Sequence, residues 1–253
     1  MAKIYTITSG KGGVGKTTTA VNLGAALNKL KEDVVIVDAN LTTPNLGLYF
    51  GAPIVPVSLN HVLQGKAKIE DAIYEHESGT KIIPASLSLK DLKKANISLV
   101  KDASKRLKKL SNHIIFDSAA GLGNEARTAL EAADEVIVVV NPNILSVTDA
   151  LKAIKLAEEM NKHVRGAIVT RVEFKKTEMP LSRIKEMLEV PILGVIPEDE
   201  AISESLARKD AVIHTKPRSK SSKAYLDIAA KLLGKTKRQA NFFERILESL
   251  GLR

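Results

Sequence analysis

Between positions 10 and 17 the chain reads Gly10-Lys11-Gly12-Gly13-Val14-Gly15-Lys16-Thr17, a G-x-x-x-x-G-K-S/T pattern. Glycines at this density let successive backbone N–H groups turn inward around phosphate oxygens. A helix opening at Lys16 adds the positive end of its dipole, and the Lys16 ammonium supplies a point charge for β- and γ-phosphates. The Thr17 hydroxyl is suited to Mg²⁺. An apolar run precedes the loop and a helical period follows it, the strand-loop-helix setting that this chemistry requires. The segment reads as a nucleotide site; the plainer alternative is a glycine-rich turn that caps a helix.

Two more apolar runs end in aspartate, Val34-Val35-Ile36-Val37-Asp38 and His113-Ile114-Ile115-Phe116-Asp117. In a parallel sheet both carboxylates emerge at the edge that carries the phosphate loop, where they hold Mg²⁺ through its water shell. One strand-terminal aspartate is often only a helix cap, whereas two beside a phosphate loop favour the metal.

The elements that must position these groups alternate along the chain. Apolar, β-branched runs at 4–8, 34–38, 81–84, 113–117, 135–140, 167–171 and 191–196 predict strands. Helical periodicity between them covers 16–30, 147–160 and 181–188, and Ser146-Val147-Thr148-Asp149 reads as a capped helix start. Such alternation predicts an α/β fold, a mainly parallel twisted sheet with helices on both faces, and places ligands at the strand C-termini. The 253 residues, 44% hydrophobic and 26% charged, suit one large folded domain and exclude disordered or fibrous classes. No apolar run approaches the length of about 18 that spans a bilayer. The first residues lack a secretory layout, so the expected location is cytoplasmic. With no cysteine, disulfides, thiolate metal sites and thiol nucleophiles are excluded. Lysine plus arginine exceed aspartate plus glutamate by 38 to 29, which favours anionic partners.

Lys11 is foreign to an ordinary phosphate loop. With it, Thr8-Ser9-Gly10-Lys11-Gly12-Gly13-Val14-Gly15-Lys16-Thr17-Thr18 resembles the deviant Walker A motif of the MinD/ParA family of ATPases. The resemblance implies a P-loop NTPase fold of the SIMIBI type, ATP and Mg²⁺ as ligands, and hydrolysis of ATP to ADP and phosphate. It implies that Lys11 reaches across a homodimer to the phosphates of the second copy, so that ATP binding and dimerisation are one event. Residues 117–121 resemble the family's switch II, with the Gly121 N–H near the γ-phosphate and Ala119 where proline is common.

Residues 37–46 resemble switch I, but Asn40 stands where the family usually carries the aspartate that orients the attacking water. An amide cannot accept the proton, though its carbonyl can hold the water, so slow hydrolysis and a long-lived ATP dimer are expected. The implied catalytic set is Lys11, Lys16 and Asn40, and the implied metal set Thr17, Asp38 and Asp117. Besides residues 10–18 and Gly121, the resemblance places Arg171, Pro197, Glu198 and Asp199 near the base, largely through backbone groups; plain turns explain them almost as well.

The chain divides into an expected ATPase domain at 1–234 and, at 235–253, a basic linker with an amphipathic helix. Phe242, Phe243, Ile246, Leu247 and Leu250 share one helical face, with Glu244, Arg245, Glu248 and Ser249 opposite. By resemblance to the MinD branch the tail attaches to the inner face of the cell membrane through anionic lipid, weakly as one copy and firmly as two. The alternative is a helix docked on its own domain. A protein regulator or cargo is implied without its identity.

Two rival functions stay open. Basic runs at Lys90, Lys93, Lys94, Lys101, Lys105, Arg106, Lys108 and Lys109, and at Lys216, Arg218, Lys220 and Lys223, suit non-specific DNA binding by a ParA-like partition ATPase, or are solvated faces. A soluble scaffold ATPase is the third possibility.

Overall fold

The structure, a computed structural model, describes residues 2–235. The apolar runs at 34–38, 113–117 and 135–140 are continuous because alternate residues bury against opposite helical layers. The described strands are β1 (Lys3–Thr8), β2 (Val34–Ala39), β3 (Tyr74–Glu75), β4 (Lys81–Ile83), β5 (His113–Ser118), β6 (Glu135–Val140), β7 (His163–Val172) and β8 (Ile192–Pro197). They form one sheet in the order β3-β4-β2-β5-β1-β6-β7-β8. Only the edge strand β3 is antiparallel to its neighbour among these pairs.

The described α-helices are α1 (Lys16–Lys29), α2 (Leu46–Tyr49), α3 (Leu59–Leu63), α4 (Leu89–Lys94), α5 (Val100–Leu107), α6 (Asn124–Ala132), α7 (Ile144–Glu159), α8 (Leu181–Leu188), α9 (Glu200–Ala207), α10 (Val212–Thr215) and α11 (Lys220–Leu232). On one face Ile7, Ile36, Ile115, Ile137 and Val139 pack with Leu23 and Leu27 of α1 and Tyr225 and Ile228 of α11. On the other, Val35, Val37, Ile114 and Phe116 meet Leu59, Leu63, Leu107 and Ala129, while Val136, Val138 and Val140 meet Val147, Ile154, Ile184 and Leu188. The alternating strands and helices expected from the sequence are present, and the sheet is mainly parallel.

From β1 the chain moves to β2 and β4 on one side, returns to β5, and crosses β1 to reach β6 on the other. This reversal opens a crevice at the C-terminal end of β1, where such sheets bind ligands. The phosphate loop lies there.

The largest boundary differences from the sequence expectation are in β7, which starts at His163 rather than at 167, and in α7. α7 starts at Ile144, capped by Asn143, whose side chain accepts the Ser146 N–H at 3.0 Å. The Ser146 hydroxyl instead accepts the Asn141 N–H at 2.9 Å, tying the helix back to the strand end. Among the described residues no helix is long and apolar enough to cross a membrane. The expected tail helix, with Phe242, Phe243, Ile246, Leu247 and Leu250, lies outside the described residues.

Candidate functional site

The loop between β1 and α1 is held from three directions. Val14 buries its side chain in the core, 2% exposed, while its carbonyl accepts the Thr170 hydroxyl at 2.7 Å and the Asn141 amide at 3.4 Å. The same Asn141 amide donates to the Thr170 hydroxyl at 2.9 Å and to its carbonyl at 3.2 Å. The ends of β6 and β7 thus clamp the middle of the loop. Gly10 abuts α7 so closely that a Cβ there would lie 1.9 Å from the Asp149 carbonyl oxygen, which no side chain tolerates. Gly15 closes the loop in the left-handed region, φ 96°, and its carbonyl accepts the Thr19 N–H at 2.8 Å, so the helix opens with its first N–H groups facing outward. The Gly121 N–H donates to the Ser9 carbonyl at 3.1 Å, which brings switch II alongside.

The two strand-terminal carboxylates are direct neighbours: Asp38 of β2 pairs in register with Asp117 of β5. Asp38 is fully buried; one oxygen accepts the Asn40 N–H at 3.2 Å and the other those of Asn45 at 3.0 Å and Leu46 at 2.9 Å. Asp117 accepts the Thr17 hydroxyl at 2.6 Å on one oxygen, while its other oxygen is buried without a hydrogen-bond partner. Burial raises Asp38 well above the usual carboxylate range, with the charge of Asp117 adding to it against the three N–H donors. Burial pushes Asp117 up to about 6, opposed by the Thr17 bond and the charge of Lys16. Lys16 is depressed by burial, with Asp117 acting the other way. Two adjacent buried acids, an orphaned oxygen and a hydroxyl make a hard-oxygen donor set that fits Mg²⁺.

A cavity of about 470 Å³ opens over the loop. Gly12, Gly13, Gly15, Lys16, Thr17 and Thr18 line it from below, Asn40, Thr43 and Asn45 from the switch I side, and Leu48, Tyr49, Leu206 and Arg171 around the far end. Arg171 sits at φ 55°, a left-handed conformation that costs about 1 kcal/mol for a residue with a Cβ. Pro197, Glu198 and Asp199 are not in that lining. Asp199 caps α9 through the Ala201 N–H at 3.0 Å and accepts the N–H and hydroxyl of Ser221 at 3.0 and 2.9 Å. Burial would raise its carboxyl, but those bonds outweigh it and hold the group below its usual range.

Lys11 is exposed and likewise outside the lining of the cavity formed by its own chain. The Asn40 amide is occupied by Thr43: its nitrogen donates to the Thr43 carbonyl at 2.6 Å and hydroxyl at 3.0 Å, and its oxygen accepts the Thr43 N–H at 3.3 Å. Sequence reasoning missed the Asn141–Thr170 clamp and the apolar wall of Leu48, Tyr49 and Leu206. A signal for the clamp existed, since Asn141 and Thr170 are polar residues that directly follow the apolar runs 136–140 and 167–169.

The sequence pattern of the CobQ/CobB/MinD/ParA nucleotide binding domain matches residues 5–212. An uncharacterized ATP-binding protein of Methanocaldococcus jannaschii is 40% identical over 256 residues, covering 99% of this chain and 97% of that protein. Among solved structures, the septum site-determining protein MinD of Pyrococcus horikoshii, complexed with Mg-ADP, superimposes with a TM-score of 0.88 at 34% identity over 94% of this chain and all of that one. MinD in the MinC:MinD cell division complex of Aquifex aeolicus gives a TM-score of 0.84 at 30% identity, covering 94% of this chain and 98% of that one.

Proposed function

We propose that this chain, which belongs to the CobQ/CobB/MinD/ParA nucleotide-binding family and is an ATPase of its MinD/ParA type, dimerises on ATP, attaches to a membrane as the dimer, and is released by hydrolysis. The observation that supports this cycle most is the position of Lys11: exposed beside a fully formed phosphate loop, yet outside the cavity of its own chain. A lysine so placed is available to the phosphates of a second copy.

Within one site, the loop N–H groups and Lys16 bind the phosphates. Thr17, Asp38 and Asp117 would hold Mg²⁺, which when bound draws negative charge from the phosphate oxygens. Asn40 holds the attacking water through its carbonyl oxygen but takes no proton from it, so turnover rests on positioning and electrostatics and is slow. Lys11 of the second copy adds charge where it develops, and Gly121 senses the γ-phosphate by exchanging its bond to Ser9. Arg171 flanks the base, with the backbone at 197–199 beyond it.

Residues 235–253 would carry the membrane helix, its face of Phe242, Phe243, Ile246, Leu247 and Leu250 entering the headgroup region of anionic lipid on the inner, cytoplasmic side. Two tails on one dimer bind with avidity that one tail lacks, so the nucleotide state controls residence. The role served is placement of a cellular structure such as the division site, through a protein regulator or cargo. For the DNA-binding alternative, three residues of the basic runs are paired within the chain, Lys105 with Asp102 at 2.9 Å, Lys108 with Asp134 at 2.6 Å and Lys216 with Glu204 at 2.5 Å, which lowers the charge of those runs without removing it.

Sedimentation velocity tests the dimer. ATP·Mg²⁺ should convert monomer to dimer, ADP·Mg²⁺ should not, and Lys11→Ala should bind ATP yet stay monomeric. An ATP dimer unaffected by Lys11→Ala would overturn the trans role of that lysine.

A further inference from the structure

Switch I is tied to the helix that follows switch II by a contact that none of the roles above uses. Glu125 stands in the first turn of α6, and its carboxylate takes both donors of Thr42: the N–H at 3.3 Å on one oxygen and the hydroxyl on the other. The loop that carries Thr42 is otherwise closed on itself. Its base is pinned to Asp38 through the N–H groups of Asn40, Asn45 and Leu46, and its middle is closed by Asn40 and Thr43. In this arrangement the Asn40 amide is spent on Thr43 and has no group left for a water. The Glu125–Thr42 contact spans 83 residues and links the tip of that closed loop to a neighbouring helix.

Resting on the ATPase reading above, we propose that Glu125 is a positioning residue, a latch that holds switch I in the closed form in which Asn40 is occupied. Asn40 reaches the attacking water only after the latch opens and the Asn40–Thr43 bonds exchange. Because α6 follows directly on the segment containing Gly121, movement of that segment toward the γ-phosphate pulls on the helix end that carries Glu125, which gives the latch its trigger. Loss of the latch therefore raises the population of the open loop and the rate of the hydrolytic step, while phosphate-loop binding of ATP, made by other residues, is unchanged.

Single-turnover ATP hydrolysis and ATP affinity are measured for the full chain and for Glu125→Ala, Thr42→Val, the double variant and Thr42→Ser, together with hydrogen exchange at Thr42 in nucleotide-free protein. A latch predicts an increase of about fivefold in the hydrolytic rate for Glu125→Ala, less than a buried charged hydrogen bond would give because the pair is exposed. It predicts a smaller rise for Thr42→Val, no further gain in the double variant, the parent rate in Thr42→Ser, and unchanged ATP affinity. Thr42 exchange should quicken by a similar factor in Glu125→Ala. Rates that fall in either single variant, effects that add in the double variant, or Thr42 exchange indifferent to Glu125 would each overturn the proposal. A parent chain that binds ATP without hydrolysing it would refute the ATPase reading instead, and the exchange measurement would still decide whether the latch exists.

Discussion

Replacing Thr170 with valine removes one hydroxyl and little else, and it isolates the clamp on the phosphate loop. The residue is 4% exposed, and its hydroxyl donates to the Val14 carbonyl at 2.7 Å while accepting the Asn141 amide at 2.9 Å. In Thr170→Val neither partner is wholly orphaned, because the Val14 carbonyl keeps the Asn141 amide at 3.4 Å and that amide keeps the Thr170 carbonyl at 3.2 Å. The cost should therefore fall in the lower half of the range for disrupting a buried hydrogen bond, about 1.5 kcal/mol. Strain in the loop has to be removed again when the N–H groups converge on phosphate, and the same free energy carried into binding weakens Mg·ADP about tenfold. Isothermal titration calorimetry reads the affinity and urea unfolding of the nucleotide-free protein reads the stability. A stability loss of this size with unchanged Mg·ADP affinity would show that the bond supports only the core and would refute the clamp.

Three further outcomes are expected. Asn40→Asp should raise the single-turnover rate of ATP hydrolysis without activator by tenfold or more, about 1.4 kcal/mol of barrier, and an unchanged rate would mean that the amide is not what limits turnover. Asp117 is pushed up to about 6 by burial from an ordinary 3.8. Between those values the folded, nucleotide-free protein binds more protons than the unfolded chain, so its stability should fall as pH rises through that window. Thermal melting across it, with Asp117→Asn as the control, should show a slope that the variant reduces; equal slopes would refute the assignment. In the presence of ADP, Mg²⁺ should stabilise the parent more at pH 7 than at pH 5, because the cation requires the ionised carboxylates. A Mg²⁺ effect that did not weaken on acidification would contradict the placement of the metal.

The features legible in the sequence were those carried by local pattern. The phosphate loop, the two strands ending in Asp38 and Asp117, and the alternation of strand and helix all reside in stretches of fewer than about twenty residues, where periodicity and residue type speak directly. That Asp38 and Asp117 share one sheet edge followed from placing two such strands in one parallel sheet, whereas their direct pairing needs β2 beside β5. What was hidden depends on strand order. Thr170 meets Val14 across 156 positions only because β7 lies next to β6 and β6 next to β1. Glu125 meets Thr42 because β5 and β2 are neighbours, so that the segments leaving them share one edge. The two-residue β3 has no period to detect. The charge runs were legible only as counts, because the carboxylates that pair with Lys108 and Lys216 come from other elements. Pro197, Glu198 and Asp199, which the resemblance puts near the base largely through backbone groups, lie outside the cavity lining, and the Asp199 carboxylate is engaged by Ala201 and Ser221.

Co-sedimentation with liposomes containing anionic phospholipid decides whether the nucleotide state controls membrane attachment, using the full chain and a chain ending at Arg238, each with ATP·Mg²⁺ or ADP·Mg²⁺. Pelleting of the full chain with ATP but not ADP, lost when residues after Arg238 are removed, is the predicted result. Absence of pelleting in both nucleotide states, with ATP-dependent DNA binding retained by the shortened chain, would contradict it and assign the nucleotide switch to DNA.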